Sequence, residues 1–294
     1  MTATHDTARP TTGHTTLISP EQLQRLLPDV FVADCSHELS DPAAGERDYA
    51  AGHIPGAIHF HLDRDLSSPP HGGNGRHPLP ERSALAELLA RLGLRSGQQV
   101  VAYDHAQGPY AARLWWLLRW LGHDQVAVLD GGWQAWLGAG GMIETQKPEP
   151  HPHGDFAPHS SLTQFLQVDD IVANLQHRQR LVVDARSQQR YGGDGETLDP
   201  KAGHIPGAVC RFFRDNLRDD GRFKSALDLR AEWLAVLGKR KPNEVVNQCG
   251  SGVSACHNLL ALEHAGLSGS ALYPGSWSEW CANPDRPVVR GSQP

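Results

Sequence analysis

Apolar residues along this chain fall into short runs and helical stripes that alternate with one another. Val30-Phe31-Val32-Ala33 is an apolar run ending at Asp34. Arg82 to Leu92 carries Leu85, Leu88, Leu89 and Leu92 at helical spacing, with Gly93 as a stop. Gln99 to Tyr103 reads as a strand and Ala111 to Leu121 as a strongly apolar helix. Val126 to Leu129 is a further strand, ending at Asp130-Gly131-Gly132. The second half repeats this order: strand Leu181–Val183, helix Leu227–Leu237, strand Glu244–Gln248, helix Ser254–Ala265, strand Ala271–Tyr273. Such alternation predicts an α/β fold, with mainly parallel sheets covered by helices on both faces.

The halves are related. Ala-Gly-His-Ile-Pro-Gly-Ala occurs at Ala51–Ala57 and again at Ala202–Ala208. Gly131-Gly132-Trp133 in the first half is echoed by Gly275-Ser276-Trp277 in the second. A period of half the chain is too long for a solenoid and predicts two homologous domains. We expect a disordered tail over 1–16, domains over 17–141 and 162–294, and a linker over 142–161, which holds four Pro and three His. At one place the copies diverge. Val245-Val246-Asn247-Gln248-Cys249 stands where the first half has Val100-Val101-Ala102-Tyr103-Asp104. That asymmetry predicts one catalytic half and one supporting half.

Composition narrows the class. With 294 residues, 39% of them apolar, the chain can build two ordinary cores. No apolar run approaches the ~20 residues of a membrane span. A net charge of −6 without a basic cluster argues against a nucleic-acid partner. Five cysteines without a CxxC pair suit a reducing, cytoplasmic setting. His59/His61 and His151/His153 read as exposed polar pairs rather than metal ligands, because no Cys or carboxylate set completes a site. His53 and His204 read as structural hydrogen-bonding residues, and Cys35, Cys210, Cys256 and Cys281 as structural thiols. Trp115, Trp116 and Trp120 read as an inter-domain contact. No metal or organic cofactor is implied.

The chemistry concentrates in a strand, then Cys249-Gly250-Ser251-Gly252-Val253-Ser254, then a helix. Parallel sheets present ligands at the carboxyl edge of their strands. The glycines let the backbone curl with its amides inward, and the helix adds the positive end of its dipole. A ring of amide donors favours a thiolate, or a persulfide anion, on Cys249.

These features resemble the tandem-domain sulfurtransferases of the rhodanese superfamily. The resemblance runs from about Ile18 to Val289. It is carried by the two Ala-Gly-His-Ile-Pro-Gly-Ala phrases, the Cys249 loop and Tyr273-Pro274-Gly275-Ser276-Trp277-Ser278-Glu279-Trp280. It implies that Cys249 accepts a sulfane sulfur from a small donor and passes it to cyanide, a thiol or a thioredoxin-like acceptor. It also implies a non-catalytic first domain, with Asp104 in place of cysteine. The neutral Gly250-Ser251-Gly252 start resembles that of 3-mercaptopyruvate sulfurtransferases, whereas thiosulfate-specific relatives carry basic side chains there. By the same resemblance Ser251, His77 and Asp63 form a proton relay. Arg190 binds the substrate carboxylate, Gly250, Gly252, Val253 and Ser254 line the donor, and Arg186 braces Asp184. A second substrate arginine of that group is missing: Thr197, Leu198 and Asp199 occupy its stretch, with Lys201 as a candidate substitute. The alternatives are a thiosulfate:cyanide sulfurtransferase and a sulfur-relay module serving a protein partner. Phosphatase chemistry is excluded, because the loop holds no closing arginine. The tandem pair can act as a monomer, since each domain supplies a wall of the site.

Overall fold

The computed structural model describes residues 13–149 and 151–293. The first half builds β1 (Leu17–Ile18), α1 (Pro20–Leu26), β2 (Phe31–Asp34), α2 (Ala44–Ala51), β3 (Ile58–His59), α3 (Arg82–Arg91), β4 (Val100–Tyr103), α4 (Pro109–Trp120), β5 (Val126–Leu129) and α5 (Gly132–Gly138). Its strands form one parallel sheet in the order β1-β5-β4-β2-β3. The second half builds α6 (Val168–His177), β6 (Leu181–Asp184), α7 (Gln188–Gly192), β7 (Val209–Cys210), α8 (Ala226–Leu237), β8 (Val245–Gln248), α9 (Ser254–His264), β9 (Ala271–Leu272) and α10 (Ser276–Ala282). Its parallel sheet runs β7-β6-β8-β9. Where the first half has β1, the second keeps a single parallel bridge from Phe165 to Leu272.

Each domain has an outer apolar layer of its own, one around Val32, Val101 and Trp136, the other around Val182, Val246 and Trp280. Their inner layers merge into one continuous core. The helices that join them are α4 and α9, which follow the two equivalent central strands and pack against each other. From Pro109 to Leu118 every residue of α4 is buried. A helix apolar all round must be covered all round, here by its own sheet and by α9. The expectation that the tryptophan helix forms the domain contact matches this packing, and Trp120 also meets Phe165 edge-on at 6.3 Å.

The repeated phrase has a repeated structure. The Tyr49 hydroxyl donates to the Ala57 carbonyl at 2.7 Å, and His53 stacks on Tyr49 and bonds its carbonyl at 2.8 Å. In the second half Tyr191 donates to Ala208 at 2.6 Å, and His204 stacks on Tyr191 and bonds its carbonyl at 2.9 Å. The tyrosine thus clamps the turn from within, and the histidine closes the pocket behind it.

Two expectations are corrected. Residues 1–12 of the expected tail lie outside the described residues, but 13–16 are tied to the first domain. The Thr15 carbonyl accepts from Trp115 Nε1 at 2.8 Å, and the Thr16 carbonyl accepts from the Val128 amide at 2.8 Å. The segment from Gly154 to Leu162, within and just beyond the expected linker, runs along the first domain. Gly154 donates to the Ala90 carbonyl at 2.7 Å, Phe156 to Leu94 at 3.2 Å and Leu162 to Arg119 at 3.0 Å, and the Phe156 side chain is buried. Proline and histidine content hid these contacts, because a chain can dock through its backbone without an apolar period.

Candidate active site

Strand β8 delivers Cys249 to the carboxyl edge of its sheet, and α9 opens five residues later at Ser254. The thiol is nearly closed off, with Cys249 2% exposed. The Gly252 amide donates to Cys249 Sγ at 3.1 Å. Gly252 has φ +79, and a Cβ there would collide with the Pro274 carbonyl, so the turn demands glycine. The Cys249 amide donates to Ser276 Oγ at 3.1 Å, while that hydroxyl donates to the Tyr273 carbonyl at 2.8 Å. Ser276 holds φ +55 without being glycine and is fully buried. This strained serine anchors the nucleophile's backbone, and nothing in the sequence singled it out.

The first domain supplies an internal comparison. Asp104 ends β4, and α4 likewise opens five residues later at Pro109. The third residue after Asp104 and after Cys249 takes positive φ, Gln107 at +68 and Gly252 at +79, but the next residues differ, Gly108 at +100 against Val253 at −91. Both oxygens of the Asp104 carboxylate are saturated: Oδ1 accepts from Ala106 and Gly108 at 2.8 Å, and Oδ2 from Tyr110 and Ala111 at 2.9 Å. Burial pushes the Asp104 carboxyl above its usual pKa, but four amides oppose that and leave no acceptor for a carboxyl proton. The corresponding amides of Ser251, Val253 and Ala255 have no protein acceptor among the described residues. The loop amides are thus spent on a carboxylate in one domain, while in the other the amide that reaches the sulfur is that of Gly252, whose counterpart Gln107 makes no bond to Asp104.

Residues from both domains meet at the loop. Ser251 Oγ lies 2.7 Å from His77 Nδ1, and His77 Nε2 lies 3.2 Å from Asp63 Oδ1. Burial pushes the His77 pKa below its ordinary value against the opposing pull of Asp63, so the ring is neutral at pH 7. Asp63, with its side chain 45% exposed, is held below the usual carboxylate range chiefly by its hydrogen bond from His77. A neutral ring that donates from Nε2 to a carboxylate keeps its Nδ1 lone pair for the Ser251 hydroxyl. The competing partners for Asp63 are engaged elsewhere, Arg64 with Glu46 at 2.6 Å and Arg76 with Asp199 at 2.6 Å. A cavity of about 260 Å³ opens beside Asp63, Arg76 and His77, rimmed by Leu198 from the second domain.

Charged groups crowd the other side of Cys249. Arg186, buried, holds Asp184 at 2.7 Å and Glu196 at 3.3 Å and lies over the Trp277 ring at 4.7 Å. Arg190 reaches Glu196 at 2.8 Å and Asp199 at 3.3 Å. A Cβ placed on Gly250 would be 3.1 Å from Arg76 Nη2 and 3.5 Å from Arg190 Nη1. The loop itself is neutral, as its sequence says, but two guanidiniums from elsewhere stand over it. Lys201 is no substitute for the missing arginine: its ammonium donates to the Asn283 and Pro284 carbonyls at 3.4 and 3.0 Å. Burial disfavours the Glu196 carboxylate, but the Leu198 amide, Arg190 and Arg186 outweigh it and hold its pKa low.

Behind the loop lies Arg113 of α4, fully buried and missed in the sequence because it sits in an apolar stripe. It donates to the Gly252 carbonyl at 3.2 Å and the His77 carbonyl at 3.1 Å, and so ties the Cys249 loop to the His77 segment across the domain boundary. Cys256, in the first turn of α9, is fully buried, and burial pushes its thiol up to about 12. Ser254 and Val253 border the loop where it enters the helix, with Ser254 partly exposed. The reading of His59 and His61 as exposed is corrected. His61 is 8% exposed and lies with His37 and Asp63, all offering ligand atoms within 4.8 Å of one another. Both His61 nitrogens are engaged, by the Asp63 amide at 3.1 Å and the Pro42 carbonyl at 3.2 Å, which makes it a bracket for Asp63.

Comparison with known proteins agrees with this architecture. The rhodanese-like domain family matches residues 19–139 and 167–283. The chain is 46% identical over 279 residues to a "Probable 3-mercaptopyruvate sulfurtransferase" of Pseudomonas aeruginosa, covering 94% of this chain and 98% of that protein. It is 33% identical over 279 residues to the thiosulfate sulfurtransferase of Mus musculus, covering 91% of each. The solved 3-mercaptopyruvate sulfurtransferase from Leishmania major superposes with a TM-score of 0.80 at 30% identity, over 92% of this chain and 75% of that one. With two such domains and relatives of this kind across nearly its whole length, the chain belongs to the rhodanese family and is a sulfurtransferase.

Proposed function

We propose that the enzyme takes its sulfur from 3-mercaptopyruvate through a persulfide on Cys249. The Cys249 thiolate attacks the donor sulfur, the carbon–sulfur bond breaks, and its electron pair leaves with the carbon as the enolate of pyruvate. The donor's thiol proton passes to Ser251 as the serine proton passes to His77 Nδ1, and it is returned to the enolate carbon. Asp63 stabilises the imidazolium formed in transit. Arg190 holds the donor carboxylate. The persulfide is then relieved of its outer sulfur by cyanide, a small thiol or a thioredoxin-like reductant. In this reading the enzyme works in the cytoplasm as a monomer, with a site complete in one chain.

One observation carries the choice of donor: the neutral His77 ring, 2.7 Å from Ser251 Oγ with its Nε2 on Asp63. Such a relay serves a donor that brings a proton, and mercaptopyruvate has a thiol proton where thiosulfate has none. The second reading, thiosulfate as donor, draws on the two guanidiniums over Gly250. Against it, Glu196 and Asp199 are bound to Arg76 and Arg190, which weakens the pull of those two cations on a dianion. The test is kcat/KM for each donor with one shared acceptor. A preference for mercaptopyruvate upholds the reading; a preference for thiosulfate overturns it.

A further inference from the structure

The guanidinium of Arg76 reaches the donor side of the nucleophile loop from the other domain. Its backbone amide donates to Ser278 Oγ at 3.0 Å, and its Nη1 donates to Asp199 Oδ1 at 2.6 Å. Asp199 is nearly sealed, its side chain 3% exposed, and its second oxygen takes Arg190 Nη2 at 3.3 Å. One carboxylate therefore holds two forks side by side. Arg190 is also gripped by Glu196 through Nε and Nη2. Without a protein acceptor among the described residues are Arg76 Nε, which is buried, Arg76 Nη2 and Arg190 Nη1; the last two are those beside the loop. Both point at Gly250, at 3.1 and 3.5 Å from where its Cβ would be. Two unengaged donors on adjacent planar cations, converging beside Cys249, match the two oxygens of a carboxylate.

We propose that Arg76 is the second anion-binding residue of the donor site, closing with Arg190 on the donor's carboxylate above Gly250. Asp199 is the positioning residue that sets the two forks. The stretch Thr197-Leu198-Asp199, where the resemblance implies a second arginine, thus holds instead an acid that orients a replacement. A donor carboxylate is gripped only when the two domains are together, which couples donor binding to domain docking. This deepens the reading of mercaptopyruvate as donor and rests on it.

The test uses the full chain with Arg76→Gln and Arg76→Lys, and two donors: 3-mercaptopyruvate and its carboxylate-free analogue 1-mercaptopropan-2-one. Inhibition by pyruvate, which brings the carboxylate without the sulfur, is measured alongside. For Arg76→Gln, kcat/KM for mercaptopyruvate should fall about 10- to 100-fold, mostly through KM, as expected for one lost charge-assisted pair. The pyruvate inhibition constant should rise by a similar factor, while the analogue is little affected. Arg76→Lys, which keeps the charge without the fork, should fall between. Equal losses on both donors would make Arg76 a domain clamp and overturn the proposal, as would an unchanged pyruvate constant. A wild-type enzyme that prefers thiosulfate sinks the donor reading instead; Arg76 is then judged on thiosulfate, where an unchanged kcat/KM in Arg76→Gln overturns it.

Discussion

Replacing Ser251 with alanine separates the two donors at a single atom. The hydroxyl is the loop group that meets His77 Nδ1, 2.7 Å from the ring. Its loss removes the path for the donor's thiol proton, and general acid–base assistance of this kind is worth about 10²- to 10⁴-fold in rate. The substitution also leaves His77 Nδ1 buried without a partner, which costs on the order of 1–3 kcal/mol of stability. That cost falls on the folded state and not on one donor. The assay is single-turnover formation of the Cys249 persulfide, followed by mass, from mercaptopyruvate and from thiosulfate. We expect the mercaptopyruvate reaction to slow by about 10²- to 10⁴-fold, with the thiosulfate reaction changed only severalfold, because sulfite leaves without needing a proton moved. Equal losses on both donors would mean that Ser251 merely shapes the loop. No loss on either would remove His77 and Asp63 from the mechanism with it.

Two further outcomes follow from the same geometry. Cys249→Ser should abolish persulfide formation, whereas Cys256→Ser should retain most of it, since burial holds the Cys256 thiol up near 12; full loss in Cys256→Ser would require a two-cysteine mechanism. Because burial depresses the His77 pKa below 6.5, the neutral ring and the stability it brings persist above that value and are lost as pH falls through the depressed one. The acid limb of persulfide formation from mercaptopyruvate should therefore lie below 6.5, and Asp63→Asn, which removes the carboxylate's upward pull, should move it lower still; a limb above 6.5 would show a charged resting ring.

The sequence was most legible where one side chain's neighbours lie along the chain. Alternation and stripes located β2, β4, β5, β6, β8 and β9 and the helices α3, α4, α8 and α9 to within a few residues. Edge strands of two residues, such as β1, β3 and β7, are too short for a period to show. Short helices such as α2 and α7 were missed because they bury few side chains. At the site, the resemblance drew attention to Cys249, Ser251, His77, Asp63 and Arg190, and the structure gathers these around one loop. Arg76, Asp199, Arg113 and Ser276 act through partners tens to hundreds of positions away, and no local pattern records such a pairing. Only the missing arginine before the second Gly-His-Ile-Pro-Gly turn signalled that a cation had to come from somewhere. His59 and His61, at and just beyond the end of β3, were misread for a simpler reason: polar residues near a sheet edge read as exposed until the other loops are placed over them.

If the second domain carries the reaction, as proposed, the duplication accounts for the difference between the domains without appeal to different folds. Both loops have the same length, the same positive-φ position and a helix opening at the same place. In the first domain the amides are spent on a carboxylate supplied by the chain itself, each bond to a charged acceptor worth about 1.5–3 kcal/mol. That nest is permanently satisfied, and α4 beyond it is free to become the buried strut that carries Arg113 to the other loop. In the second domain a thiol takes the carboxylate's place. A thiolate carries its charge on one atom, and its first amide, from Gly252, is already in contact at 3.1 Å. In the proposed persulfide the charge moves one sulfur further out, and the amides of Ser251, Val253 and Ala255 have no protein acceptor among the described residues to compete for them.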